Sequence, residues 1–182
     1  FRKRYWLYYA LTFLSGARRQ IFMVFAGFLL VQKFGFPLDK MVLLLLVNSG
    51  ITAWVAPKMG ILISKIGERK ALTLEYIALI IIFLGYAVVD NVNIAFLLYI
   101  LDNIFYSISF AIKTYFQKIA DPADIASTAG ISFTINHIAA VLLPALLGLI
   151  WMENYGAVFL IGASIAGASL ILVRAIPDNP EI

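Results

Sequence analysis

Apolar residues run along this chain in long blocks, with no alternation of polar and apolar positions. Six blocks, roughly 5–31, 40–62, 71–89, 93–117, 125–150 and 155–173, are each long enough for a helix that crosses a bilayer, which needs about 20 mostly apolar residues. A membrane β-barrel would show segments of about 10 residues with alternating polarity, and none is visible. The expected fold class is therefore an all-α membrane protein with six transmembrane helices in one domain, 1–182. Turn chemistry separates the blocks. Gly35-Phe36-Pro37-Leu38-Asp39 divides the first two helices, Asp90-Asn91-Val92-Asn93 the third and fourth, and Glu153-Asn154-Tyr155-Gly156 the last two. Asp121-Pro122-Ala123-Asp124 precedes the fifth helix, with Asp124 as the expected N-cap.

Within the blocks, polar residues recur at helical spacing. Tyr99, Asp102, Tyr106, Ser109 and Lys113 share one face of the fourth helix, widened by Asn103, Ser107, Phe110, Thr114 and Gln117. Ser127, Gly130, Thr134, His137, Val141, Pro144 and Gly148 form a row on the fifth. Thr12, Ser15, Arg19, Met23 and Ala26 share a face of the first, with Arg18 about 100° away, and the second offers Asn48, Ser49 and Thr52. Polar groups in hydrocarbon are costly, so these stripes should face a cavity or a partner helix. The third helix is almost wholly apolar from Tyr76 to Val89. The sixth carries only small residues such as Gly162, Ser164 and Gly167, which suit close helix packing.

Composition agrees: 63% of the residues are hydrophobic, 13% are charged, and mean hydropathy is +0.95. Charge adds orientation. Of the 14 Lys and Arg, Arg2, Lys3, Arg4, Lys58, Lys65, Arg69, Lys70, Lys113, Lys118 and Arg174 lie at or towards one end of the helices. Lys33 and Lys40 lie at the other end, and Arg18 and Arg19 between. That bias puts both termini in the cytoplasm. The expected location is the plasma (inner) membrane, as a multi-pass protein. The net charge of +4 is then topological and does not indicate nucleic acid. With no cysteine and a single histidine, no metal motif is available. We find no nucleophile motif and no phosphate-binding glycine loop, so neither an enzyme nor a cofactor is expected.

The junction Gly60-Ile61-Leu62-Ile63-Ser64-Lys65-Ile66-Gly67-Glu68-Arg69-Lys70 resembles the Gly-x-Leu-x-Asp-Arg-x-Gly-Arg-Arg/Lys loop of the major facilitator superfamily. Gly60, Leu62, Gly67 and Arg69 match, and Lys65 is a conservative match. Ser64 replaces the usual Asp and Glu68 a usual basic residue. The resemblance implies a six-helix half, on balance the C-terminal half, built of two inverted three-helix repeats, with helices one, two, four and five bordering a central cavity. It also implies that Gly60, Lys65, Gly67, Arg69 and Lys70 form a cytoplasmic gate. Glu75, one turn after this junction, is expected to pair with Arg69, Lys70 or a neighbouring helix end in a structural or gating role.

Arg19 is the leading substrate ligand: a cation at mid-membrane needs compensation, and its planar fork of donors suits a carboxylate or phosphate. The alternative is an intramolecular pair of Arg18 or Arg19 with Asp102. Asp102 is the candidate proton carrier, or else half of a permanent salt bridge, and His137 is a second titratable candidate unless it is held neutral by a hydrogen bond. Asn103, Tyr106, Asn48 and Arg18 complete the expected substrate set, while Lys113 is expected to snorkel to the interface. The chain thus reads as half of a secondary transporter moving a small solute, weakly an anion, by alternating access with possible proton coupling. Its expected partners are the bilayer, the solute and another six-helix half in the same polypeptide or a second subunit. The rivals are a homodimeric half-sized transporter and a transport-inactive scaffold.

Overall fold

The computed structural model describes residues 2–177. Among these there is no strand, and six helices are long and apolar enough to cross a membrane. They are α1 (Lys3–Lys33), α2 (Leu38–Ile66), α3 (Glu68–Val88), α4 (Val92–Ile119), α5 (Pro122–Glu153) and α6 (Tyr155–Ala175). The apolar blocks locate every helix, and most ends extend two to four residues beyond the sequence estimate because polar caps and basic flanks are also helical.

The ends show why. Asn91 caps α4 by accepting the Asn93 N–H at 2.8 Å, and Asn154 caps α6 through the Ala157 N–H at 3.2 Å. At α5 the cap is Asp121, whose Oδ1 accepts the Ala123 N–H at 3.0 Å, with Pro122 at the first helical position. Asp124, expected in that role, instead accepts Arg2 Nη2 at 2.9 Å and the Tyr5 hydroxyl at 2.9 Å, fastening the start of α5 to the start of α1.

The basic junction also departs from expectation. It contains almost no loop, because α2 runs to Ile66 and α3 starts at Glu68. Gly67 alone turns the chain, at φ 83° and ψ 158°, a region essentially closed to residues with a Cβ.

Packing sorts the helices into two groups. α1 is the axis of the bundle, lying against both α5 and α6, and α3 packs along α6. The small residues of α6 permit that approach, for a Cβ on Gly162 would stand 3.1 Å from the Phe83 ring. One apolar core joins Phe22, Phe25, Leu29, Phe83, Tyr86 and Phe159; a second, nearer the basic end, joins Tyr5, Tyr8, Leu72, Tyr76 and Tyr115. α2 and α5 are the most exposed helices, presenting Leu46, Trp54, Phe133, Val141 and Leu149 outward.

Candidate functional site

Two helices change pitch on either side of the level at which they meet. The α-helical first part of α1 ends at Gln20, and the next turn, Ile21–Ala26, is π-helical. The Ile21 N–H is shared between the carbonyls of Ala17 and Arg18. In α4 the turn Ser107–Ser109 is a 3₁₀ turn. Such wide and tight turns often mark functional positions, since they turn neighbouring side chains to different faces. They flank the two most charged steps of the bundle interior, Arg18-Arg19 on α1 and Asp102-Asn103 on α4.

Each step faces two ways. Arg19 and Asn103 point forward into a cleft of about 660 Å³ lined by α1, α2, α4 and α5. Arg19 Nη1 donates to Asn103 Oδ1 at 2.8 Å. Asn103 Nδ2 donates in turn to Thr52 Oγ1, which donates to the Asn48 carbonyl at 2.8 Å. The guanidinium lies 4.6 Å from the Tyr106 ring centre and 5.0 Å from that of Phe22. Only one of its five N–H donors is committed to this relay, and no carboxylate among the described residues lies within ion-pair distance.

Arg18 and Asp102 point backward. Arg18 is 1% exposed, stacks at 4.4 Å on the Tyr76 ring and meets Glu75, itself 0% exposed, at 3.5 Å. Neither arginine forms the expected ion pair with Asp102, which is 2% exposed and lies behind Asn103 within electrostatic reach of both. Glu75 is likewise a correction. It does not brace Arg69 or Lys70, because it belongs to the buried stripe Ala71, Leu72, Glu75, Leu79 and Ile82 of α3.

The cleft continues towards the basic end. Below Asn103 it passes Tyr106, Ser107, Ser109 and Lys113, then Tyr8, Gln117 and Ser132, where Tyr8 and Ser132 hydroxyls are 2.9 Å apart. The expected single stripe on α4 is thus divided: Tyr99 and Asp102 are buried, and the wetted face starts lower down. The change of face falls between Asp102 and Asn103, within the regular helix and before the 3₁₀ turn begins.

Lys113, expected to snorkel, lines every part of this surface. Asn136 does so too and was missed. Its carboxamide oxygen lies over the bare Cα of Gly16, which leaves no room for a Cβ there. Comparison with protein-family models and with curated proteins finds no match to this chain.

His137 falls outside the cleft. It is exposed on α5, with Nδ1 2.9 Å from the Phe133 carbonyl and its ring against Phe133, because the inward face of that helix carries Thr128, Ser132 and Ala139 instead. Asn48 is buried one turn above Thr52, with its Oδ1 unpartnered. Of the junction residues, Gly60 borders the cleft, Lys65 and Lys70 are exposed, and Glu68 pairs with Lys118 at 3.0 Å. Arg69 is partly buried. No cluster of metal-ligating side chains occurs among the described residues.

The site can therefore do one thing well chemically. It presents a positively charged, hydrogen-bonding surface that runs from mid-depth towards the basic end and is backed by a buried layer of charge.

Proposed function

We propose that the chain is one six-helix half of a secondary transporter of the major facilitator type, which moves a small anion by alternating access with a second half. The observation that carries this reading is Arg19, a mid-depth cation in an open polar cleft, anchored by an amide and with no carboxylate in ion-pair contact. A cation so placed costs roughly 2.5–3.5 kcal/mol on insertion scales, and a bound anion offsets that cost. The division of labour among helices supports the same reading. α1, α2, α4 and α5 line the cleft, while α3 and α6 pack behind. The basic end is placed in the cytoplasm of a plasma-membrane protein on the bias of Lys and Arg.

Binding tests it. Acetate, lactate, succinate, citrate, inorganic phosphate and sulfate are added in turn to the purified intact protein, and its thermal shift is compared with that of Arg19→Ala. One class should stabilise the wild type and lose that effect in the variant. No shift with any anion, or equal shifts in both proteins, makes Arg19 structural and ends the anion reading.

A further inference from the structure

The buried layer behind Arg19 holds more polar atoms than hydrogen bonds. Arg18 Nε and Nη1, Glu75 Oε2, Asp102 Oδ2 and the hydroxyls of Tyr76 and Tyr86 are all shut from solvent and have no partner. Native interiors leave few such atoms, and those they leave call for an explanation. The charged groups facing one another here come from three helices. α1 presents Arg18 and Arg19, α3 presents Glu75, and α4 presents Asp102; the tyrosines around them are Tyr76 and Tyr86 on α3 and Tyr99 and Tyr106 on α4.

Two cations thus face two carboxylates, and the balance has an asymmetry. Arg18 is locked in the rear by Glu75 and the Tyr76 ring. Arg19 serves both sides: its field reaches Asp102 behind, while its free donors face the cleft. An anion docked on Arg19 neutralises the charge that Asp102 relies on. The rear layer is then left with Arg18 against two carboxylates, and an uncompensated buried charge is strongly unfavourable.

We propose that Glu75 and Asp102 together hold one exchangeable proton, taken up from water when an anion docks on Arg19, so that solute and proton cross together. The balance closes: a monovalent anion adds one negative charge, and one proton forms an O–H bond on a carboxylate oxygen and removes it. The unpartnered Tyr76 and Tyr86 hydroxyls and Arg18 donors are the groups left to orient that acid or a water beside it. This assigns Glu75, on a helix that does not line the cleft, a part in coupling.

The inference rests on the transporter reading for its use, but its test needs no solute. Removing the charge of Arg19 reproduces the anion-loaded balance permanently. Infrared spectra of the intact protein near neutral pH, as wild type minus variant, should show about one additional protonated carboxyl C=O band in Arg19→Gln. The band should be absent in Arg19→Lys, and lost in both Arg19→Gln/Glu75→Gln and Arg19→Gln/Asp102→Asn. Arg19→Ala replaces Arg19→Gln if the latter does not fold. No band in Arg19→Gln, or a band that survives either double substitution, overturns the proposal while leaving anion binding at Arg19 standing. Loss of anion binding in the thermal-shift test would leave the infrared result untouched.

Discussion

Arg18 and Arg19 are neighbours in sequence with opposite surroundings, and their substitutions should separate cleanly. Arg18 is sealed against Glu75, so Arg18→Met leaves Glu75 without its partner and Arg19 alone against two carboxylates. Breaking a buried pair from one side typically costs about 3–5 kcal/mol. We expect a loss of that size for Arg18→Met in denaturant titration, a smaller loss for Glu75→Gln, which leaves Arg18 facing Asp102, and substantial recovery in Arg18→Met/Glu75→Leu. Equal losses for the two single variants would mean that Asp102 does not share Arg18. The sequence placed both arginines inside one apolar span and set Arg19 on its polar face. It did not show Glu75 as a partner, although Leu72, Glu75 and Leu79 already stand at the spacing of a buried helix stripe. The nearby Arg69 and Lys70 drew the assignment instead, since sequence distance hides the 57-residue separation between Arg18 and Glu75. Asn136 was invisible for a related reason. Its position depends on Gly16 across the α1–α5 contact, and a pair of that kind leaves no periodic mark. Gly16→Ala should displace the Asn136 amide and weaken anion-dependent stabilisation, with Gly16→Leu more damaging.

At the scale of the helices, existence and order were legible, since six apolar blocks became six helices. Facing was less legible, since a helix can turn a polar row to a cavity, a buried layer or the outside. The row through Tyr99 and Asp102 leaves the cleft within the regular helix, before the 3₁₀ turn begins, because both side chains are buried in the packing of α4 against its neighbours, and no residue type there announces it. The row on α5 failed differently. Its polar members are real, but Ser127, Thr134 and His137 lie on the exposed side, away from the other five helices. The turn at Gly67 yields a sharper expectation. With φ at 83° and ψ at 158°, Gly67→Ala forces a Cβ into a conformation costing about 1–3 kcal/mol, although nothing crowds the site. The loss should appear in the denaturation midpoint. It should exceed that of Gly60→Ala, a helical glycine with open space around it, which is expected to be neutral or mildly stabilising. A larger effect at Gly60 would make close approach by a partner, and not backbone strain, the reason for glycine at this junction.

For the whole molecule, the arrangement of exposed surface matters most. α2 and α5 bury little of their length against the other helices, and their outward faces mix large apolar residues with Ser49, Thr134 and His137 at membrane depth. Lipid would cover the apolar part but not the polar one. In the transporter reading a second six-helix unit covers it, with the cleft between them and its wetted wall running from Arg19 past Lys113 to Gln117. Orientation then predicts access. Because the chain has no cysteine, single substitutions report without background, provided the intact protein is otherwise cysteine-free. In sealed, right-side-out cells, Lys40→Cys should react with an impermeant thiol reagent from outside, whereas Lys70→Cys should react only after permeabilisation. Lys113→Cys lies about six residues, or roughly 9 Å, inside the basic end. In the conformation described here it should react from the same side as Lys70→Cys, and an anion that binds Arg19 should slow it. Labelling of Lys113→Cys from the Lys40 side alone would place the mouth of the cleft at the opposite end. Labelling of Lys70→Cys in intact cells would invert the molecule and remove the basic-end assignment on which the direction of the pathway depends.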